Sequence, residues 1–295
     1  MERYFAVIGD PIAHSLSPVM HQAGYKALGL SAQYLKFKVE TQKLPEAIAG
    51  LRALGFSGCN ITIPHKESVL CCVDELTPEA KRAGAVNTLK FTPEKIIGHN
   101  TDGLGFVRSI RGKLDKFEGR QAVILGAGGA ARGIALTLAE LGMNLLILNR
   151  TPEKASELVE DIRSVGGSAS SGELRPGAWQ KSVDLLVQTT SVGLHGESFP
   201  FELIDLSPRA LVVDVIFGSK VTPFLQKAQA LGCHTLNGLG MLLYQGALAW
   251  EFWLGGLAPV EVMWAALQNE VDAPTDAEYR VPHSLVEVGV SRLDD

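Results

Sequence analysis

The sequence predicts an α/β protein of two units, the second built on a doubly wound parallel sheet. Three observations carry that expectation. Short apolar runs bounded by turn residues alternate with helical patterns along most of the chain. One such run, Ala122-Val123-Ile124-Leu125, passes through a glycine-rich turn into the helical pattern Arg132 to Leu141. Strand, helix, strand alternation then continues, and consecutive strands joined by helices lie parallel.

Taken in order, residues 1–102 form an α/β unit of their own. Strand-like runs fall at Phe5 to Ile8, Gln33 to Val39, Asn60 to Ile63 and Thr88 to Phe91, with a helical pattern from Pro45 to Leu54. Ser17 before Pro18 signals another helix start, since serine caps and proline fits the first helical position. A helical connector from Gly103 to about Arg111 opens the second unit, residues 103–237. Its later strands are expected at Leu145 to Leu148, Asp184 to Gln188 and Ala210 to Asp214. The apolar helices of residues 238–270 come after that sheet is finished and are expected to return across the cleft onto the first unit. Gly238 to Leu257 is the most apolar window, but Gln245 and Glu251 interrupt it, so it reads as a buried helix and not a membrane span. Residues 271–295 contain Pro274, Pro282 and several acidic groups, with one strand-like pattern at Leu285 to Val290, and receive no function.

With 295 residues and 46% apolar content the chain can build two ordinary cores. A net charge of −5 with no long run of one sign excludes a nucleic-acid partner and leaves anion recognition to local clusters. The four cysteines, Cys59, Cys71, Cys72 and Cys233, contain no Cys-x-x-Cys pair and no metal spacing, so they read as reduced thiols with no metal site. Met1-Glu2-Arg3 leads straight into Tyr4 to Ile8, and a cytoplasmic location is expected. Neither membrane nor nucleic acid is an expected partner, and the chain is read as a monomer or homodimer acting on a small molecule.

The glycine turn is the strongest local signal. Gly126, Ala127, Gly128, Gly129 and Ala130 lie where a strand hands over to a helix, so a pyrophosphate can approach the backbone and meet free amides and the positive end of the helix dipole. That predicts a Rossmann-like dinucleotide-binding unit. A carboxylate for the ribose 2′-hydroxyl is expected at the end of the next strand, and none is there. Asn149, Arg150 and Thr151 stand in its place with Lys154 close behind, a set suited to a 2′-phosphate. The expected cofactor is NADP(H). Thr190, in Thr189-Thr190-Ser191-Val192-Gly193, follows a strand at its carboxyl end and either borders the nicotinamide or forms an ordinary turn.

A second group of residues lies in the first unit. Ser15 and Ser17 place two hydroxyls at a helix amino terminus, a seat for a carboxylate, although Ser17 can equally be a plain cap. Asn60-Ile61-Thr62-Ile63-Pro64-His65-Lys66 runs from a strand end to a lysine expected at a helix start. Asp102, in Asn100-Thr101-Asp102-Gly103, lies where the first unit passes to the second. A lysine and an aspartate facing one substrate hydroxyl form an acid/base pair, and Asn87 adds an amide that orients hydroxyls. His14 and His99 read as structural.

Together these motifs resemble the shikimate dehydrogenase family over roughly residues 4 to 270. The match runs through Gly9 to His21, Asn60 to Lys66, Gly84 to Thr88, Asn100 to Gly103, the glycine turn, Asn149 to Thr151, and Gly238 to Leu242 leading to Gln245. The resemblance implies NADP-dependent, reversible reduction of 3-dehydroshikimate to shikimate in aromatic amino acid biosynthesis, by hydride transfer between the nicotinamide and C3 of the substrate. It implies that Lys66 and Asp102 are catalytic, and that Ser15 and Ser17 hold the carboxylate. It further implies that Thr62, Asn87 and Gln245 contact the ring, with Phe217 in the substrate cleft and Gly238 on the cofactor side. Gln22, Gln188 and Leu194 depart mildly from the family pattern, and Phe217 replaces a frequent tyrosine, with loss of a hydroxyl worth on the order of 1 kcal/mol. Two rivals stand beside this reading. One is a quinate/shikimate dehydrogenase, against which Thr62 and the missing strand-end carboxylate argue. The other is a non-catalytic NADP-binding sensor or scaffold.

Overall fold

Alternation along the first strand sets the architecture of the first unit. In β1 (Arg3–Gly9), Ala6 and Ile8 enter one apolar cluster while Phe5 and Val7 enter another, as a period of two requires of a strand buried on both faces. The structure is a computed structural model and describes residues 2–179, 182–193, 197–200, 202–204, 206–218 and 221–271. The Ala6 face is covered by Leu44, Ile48 and Leu51 of α2 (Leu44–Ala53), and the Phe5 face by Tyr25 of α1 (Ser17–Ala27). Around β1 the sheet adds β2 (Ala32–Lys38), β3 (Gly58–Ile61), β4 (Glu75–Leu76), β5 (Thr88–Phe91) and β6 (Ile96–His99) in the order β2-β1-β3-β5-β6-β4. A short helix α3 (Pro78–Ala83) precedes β5.

This sheet is mixed. β1, β2 and β3 are parallel, whereas β5 runs antiparallel to both β3 and β6. The β5–β6 hairpin pairs Thr88 with His99 and Phe91 with Ile96, and closes through Thr92 N–H on Lys95 O at 2.9 Å. Asn87, one residue before β5, therefore stands beside Asn100, one residue after β6, and its N–H donates to His99 O at 3.1 Å.

The connector α4 (Asp102–Ile110) leads into the second sheet, whose strands are all parallel: β7 (Gln121–Leu125), β8 (Asn144–Asn149), β9 (Ser168–Glu173), β10 (Leu185–Gln188), β11 (Leu211–Asp214) and β12 (His234–Leu236). Their order, β12-β11-β10-β7-β8-β9, is the doubly wound arrangement, with the reversal between β7 and β10. Helices α5 (Gly129–Glu140), α6 (Pro152–Ser164) and α7 (Pro223–Ala230) make the crossovers β7 to β8, β8 to β9 and β11 to β12. Against the expected elements, β4, β6, β9, β12, α3, α6 and α7 are additional.

The chain then returns through α8 (Leu239–Leu254) and α9 (Val260–Glu270). Trp253 of α8 donates its indole N–H to Leu89 O at 2.8 Å and fills the space a side chain at Gly58 would take. Gly24 of α1 likewise admits Trp250 and Pro259. The last helices thus lie on the face of the first sheet that carries Phe5 and Val7. Among the described residues no helix is long and apolar enough to cross a membrane. The strand-like pattern at Leu285 to Val290 lies outside the described residues.

α4 and α5 cross at very short range because glycines meet there. A side chain on Gly103 would collide with Thr137 Oγ1 and Gly133 O of α5, and one on Gly133 would press on Asp102 Cβ at 3.2 Å. Close backbone approach of this kind admits only glycine. It holds the first residue of α4 against the helix that follows the glycine turn.

Candidate active site

Three turns converge on one polar cluster. β3 ends at Ile61 and the chain bends through Thr62 to Lys66, where Lys66 O accepts from Val86 N–H at 2.7 Å, so the lysine is tied to the approach to β5. The hairpin brings Asn87 beside Asn100, Thr101 and Asp102. Lys66 Nζ lies 2.6 Å from Asp102 Oδ2, with the lysine side chain 14% and the aspartate 3% exposed. Asn87 Nδ2 donates to Asp102 Oδ1 at 2.9 Å and to Thr101 Oγ1 at 2.8 Å, and Asn87 Oδ1 accepts from Thr101 N–H at 2.9 Å. The Asp102 N–H is capped by Asn100 Oδ1 at 3.0 Å, and Asn100 Nδ2 is fixed on Ala85 O at 2.9 Å. A carboxylate so buried is stable as an anion only with donors on its oxygens, and both oxygens have one.

Behind this cluster runs a buried chain of polar groups. Asn60 Nδ2 donates to Asn87 O and to Thr88 Oγ1, each at 3.1 Å, while Tyr34 OH donates to Asn60 Oδ1 at 2.6 Å. Ser17 also lies within hydrogen-bonding reach of the Tyr34 hydroxyl, which burial pushes far above the usual phenol range. The two ends of the chain are thus Ser17 at the start of α1 and Lys66 on Asp102. Ser15 Oγ accepts from Ser17 N–H at 3.4 Å. Ser17 does not act as the cap: Leu16 holds that position, Ser17 is the first helical residue, and its side chain makes no capping bond. The physical reason is that Pro18 occupies the second helical place, so the turn begins one residue earlier than expected.

One further expectation is corrected. Lys66 does not start an α-helix; it sits in a turn ahead of a short 3-10 segment, Ser68–Cys72, because Pro64 and the His65 and Lys66 carbonyl bonds commit the backbone to a tighter path. Gln245 is half-buried on α8, with its amide Nε2 donating to Leu242 O at 2.8 Å and its backbone against Gly105 of α4. Phe217, after β11, packs into the apolar cluster of Met20, Leu239 and Leu243 alongside Leu16, a surface where a phenyl ring needs no hydroxyl partner. Thr62 is half-buried, and its methyl lies against Gly9 at the end of β1.

On the other side of Lys66 lies the glycine turn. A Cβ at Gly129 would touch Lys66 Cβ at 3.0 Å and Cδ at 3.3 Å, so the lysine stem runs along the first residue of α5. Gly126 takes φ +115°, and a side chain there would meet Thr189 Oγ1 at 2.5 Å. Gly128 is exposed with open space around its Cα, and it caps α5 with no side chain on the first amides and no acidic residue in the first turn. Those amides and the helix dipole are therefore available to an anion. Asn149 ends β8, with Arg150, Thr151 and Lys154 exposed at the start of α6, and neither cation is ion-paired among the described residues. A dinucleotide with a 2′-phosphate fits this donor set. Thr190 N–H donates to Gln188 Oε1 at 2.5 Å and Gly238 is wedged against Val215, so both shape the rim through backbone contacts. Leu194 lies outside the described residues.

Sequence reasoning passed over Tyr34, Asn60, Thr88 and Asn100. Asn60 lies inside the motif that ends at Lys66, and its polarity in a buried strand was the available signal. Tyr34 gave none, because tyrosine is ordinary in a strand.

Comparison with known proteins agrees with this geometry. The chain matches family models for the shikimate dehydrogenase substrate-binding domain at residues 7–89, for shikimate/quinate 5-dehydrogenase at 109–174, and for the shikimate 5'-dehydrogenase C-terminal domain at 238–268. It is 58% identical over 267 residues to the NADP(+) shikimate dehydrogenase of Desulfitobacterium hafniense, covering 90% of this chain and 98% of that one. The crystal structure of shikimate 5-dehydrogenase from Thermus thermophilus, in complex with NADP(H) and shikimate, superposes with a TM-score of 0.81 at 36% identity, covering 90% of this chain and 99% of the other. The ligand-free 5-ketofructose reductase of a Gluconobacter species has a TM-score of 0.82, also at 36% identity, over 92% of this chain and 99% of its own. With three family models in the expected order and such a relative covered almost end to end, the chain belongs to the shikimate dehydrogenase family.

Proposed function

We propose that this chain catalyses the reversible, NADP-dependent interconversion of 3-dehydroshikimate and shikimate. The observation that carries the reading is the Lys66–Asp102 pair at 2.6 Å, set directly against Gly129 of the dinucleotide turn. An acid/base pair within reach of a nicotinamide site is what ketone reduction requires.

NADP(H), when bound, supplies the hydride. Gly126, Ala127, Gly128, Gly129 and Ala130 receive its pyrophosphate, Asn149, Arg150, Thr151 and Lys154 its 2′-phosphate end, and Thr190 and Gly238 border it. Lys66 gives its proton to the 3-oxygen as charge develops there and recovers it in the reverse direction. Asp102 keeps that ammonium aimed, since its carboxylate is fixed by Asn87 and by the capped start of α4. Ser15 and Ser17 hold the substrate carboxylate, while Thr62, Asn87, Gln245 and Phe217 line the ring. The division of labour follows: 1–102 bind substrate, 103–237 bind cofactor, and 238–270 brace the first unit. The cytoplasm is the proposed location, with a monomer or homodimer as the working species.

The test is steady-state turnover of purified protein, with shikimate and quinate each paired with NADP and NAD. Turnover confined to shikimate with NADP is expected. Preference for quinate or NAD overturns the substrate or cofactor assignment, and NADPH binding without turnover points to a sensor.

A further inference from the structure

Away from the active site, two thiols stand side by side on the 3-10 segment that follows Lys66. Cys71 Sγ and Cys72 Sγ are 3.7 Å apart, with Cys71 exposed and Cys72 half-buried. They open onto a groove of about 470 Å³ whose other walls are Pro45, Ile48, Ala49 and Ala53 of α2 and Ile96 of β6. Arg52 borders the groove, but its guanidinium is engaged elsewhere, donating to Pro93 O at 3.1 Å and lying 3.7 Å from Asp74. The rest of the lining is mostly apolar.

Two sulfurs at this separation are too far apart for a direct bond of about 2.05 Å, yet well placed for one soft atom to bridge them. An apolar slot beside that bridge suits a flat hydrocarbon group. We propose that Cys71, Cys72 and the α2 groove form a binding site for trivalent aryl arsenicals, with arsenic across the two sulfurs and the ring between Ala49 and Ile96. The step balances without an oxidant. An arylarsonous acid and two thiols give the cyclic dithioarsenite and two waters: two S–H and two As–O bonds break, two As–S and two O–H bonds form, and arsenic stays trivalent. Burial, and then the neighbouring Cys71 thiol, push the Cys72 thiol up to about 11, so one-thiol alkylation near neutral pH is slow there. Cys59 and Cys233 are buried in separate clusters and offer no pair.

The experiment adds phenylarsine oxide, one equivalent per chain, to the full-length protein and reads intact mass and free thiols. One phenylarsenic adduct is expected, with two of the four thiols consumed, peptide mapping to Cys71 and Cys72, and release by a 1,3-dithiol but not by a monothiol. Cys71→Ser and Cys72→Ser should each abolish the stoichiometric adduct. Inorganic arsenite, which lacks the ring, should bind at least about tenfold more weakly, since it buries no aryl face. Ala49→Asp, which puts a carboxylate in the slot, should weaken the aryl compound and leave arsenite unchanged. Adduct on either single-serine variant, consumption of Cys59 or Cys233, or equal affinity for arsenite would overturn the proposal. Circular dichroism of each variant confirms that the comparison is between folded proteins.

Discussion

Asn87 and Asp102 share a hydrogen bond of 2.9 Å in which the amide nitrogen holds Oδ1, leaving Oδ2 to Lys66. The two carboxylate oxygens thus have separate partners, and the orientation of the Lys66–Asp102 pair depends on an amide that is itself pinned by Thr88 and Thr101.

Replacing Asn87 by alanine should therefore damage folding and turnover together. The carboxylate loses one donor and Thr101 loses three contacts, a cost of about 1–3 kcal/mol for buried groups left unsatisfied. Urea denaturation and kcat on the same preparation check this. An unchanged midpoint would mean that water takes over the amide's place.

Lys66→Ala should lower kcat by roughly a hundred- to ten-thousandfold, the range of a positioned general acid, while the affinity for NADPH measured by fluorescence stays within a few fold. A variant that keeps wild-type kcat removes Lys66 from the proton step.

Arg150 is the residue proposed to meet the 2′-phosphate. Arg150→Ala should raise KM for NADP by about ten- to a hundredfold, the worth of one charge-assisted hydrogen bond, and leave KM for NAD unaltered. Equal losses with both cofactors would place the 2′-phosphate elsewhere.

His21 gives the chain an acid-side weakness. Its ring is wholly buried, stacked on Tyr34 at 4.4 Å, and neither nitrogen has a hydrogen-bond partner among the described residues. Burial depresses its pKa from 6.5 to about 3. Below pH 6.5 the unfolded chain takes up a proton that the folded chain refuses, so this contribution is complete above 6.5 and is lost as pH falls toward 3. At about pH 5 the loss amounts to about 2 kcal/mol. His21→Phe should flatten that part of the stability profile, measured by urea unfolding across the range. An unaltered slope would show that other groups cause the acid loss.

Gly103→Ala should destabilise by about 1–3 kcal/mol, because the added methyl has nowhere to go between α4 and α5. The effect should extend to kcat, as Asp102 is the adjacent residue. Thermal unfolding and turnover of the variant test both halves.

Much of this was legible in the sequence, and for identifiable reasons. Thr88–Phe91 forms the strand its composition announces, and Ala122 to Leu125 leading into Gly126 is strand and turn as expected, because apolar periodicity and glycine punctuation are local signals. β9 was invisible, since Ser-Ala-Ser-Ser-Gly-Glu has no apolar alternation and is a strand only by pairing along β8. That the Gln245 amide turns onto Leu242 O of its own helix is a tertiary matter that no local pattern shows. The Ser17 cap failed by one residue, where Leu16 and Pro18 compete for the helix start. The buried line from Tyr34 through Asn60 to Asn87 joins three separated strand ends, and no window of sequence contains it.

The hairpin between Phe91 and Ile96 works as a gauge block for the site. Because Asn87 enters β5 and Asn100 leaves β6 at the same level, every residue between them sets how far Asp102 travels past Asn87. Changing what stands at Pro93 or Glu94 alters an exposed tip, whereas adding or removing a single residue slides β6 by one place and turns its side chains to the opposite face. At that tip the number of residues, and not the side chains of Pro93 and Glu94, governs the geometry of the site.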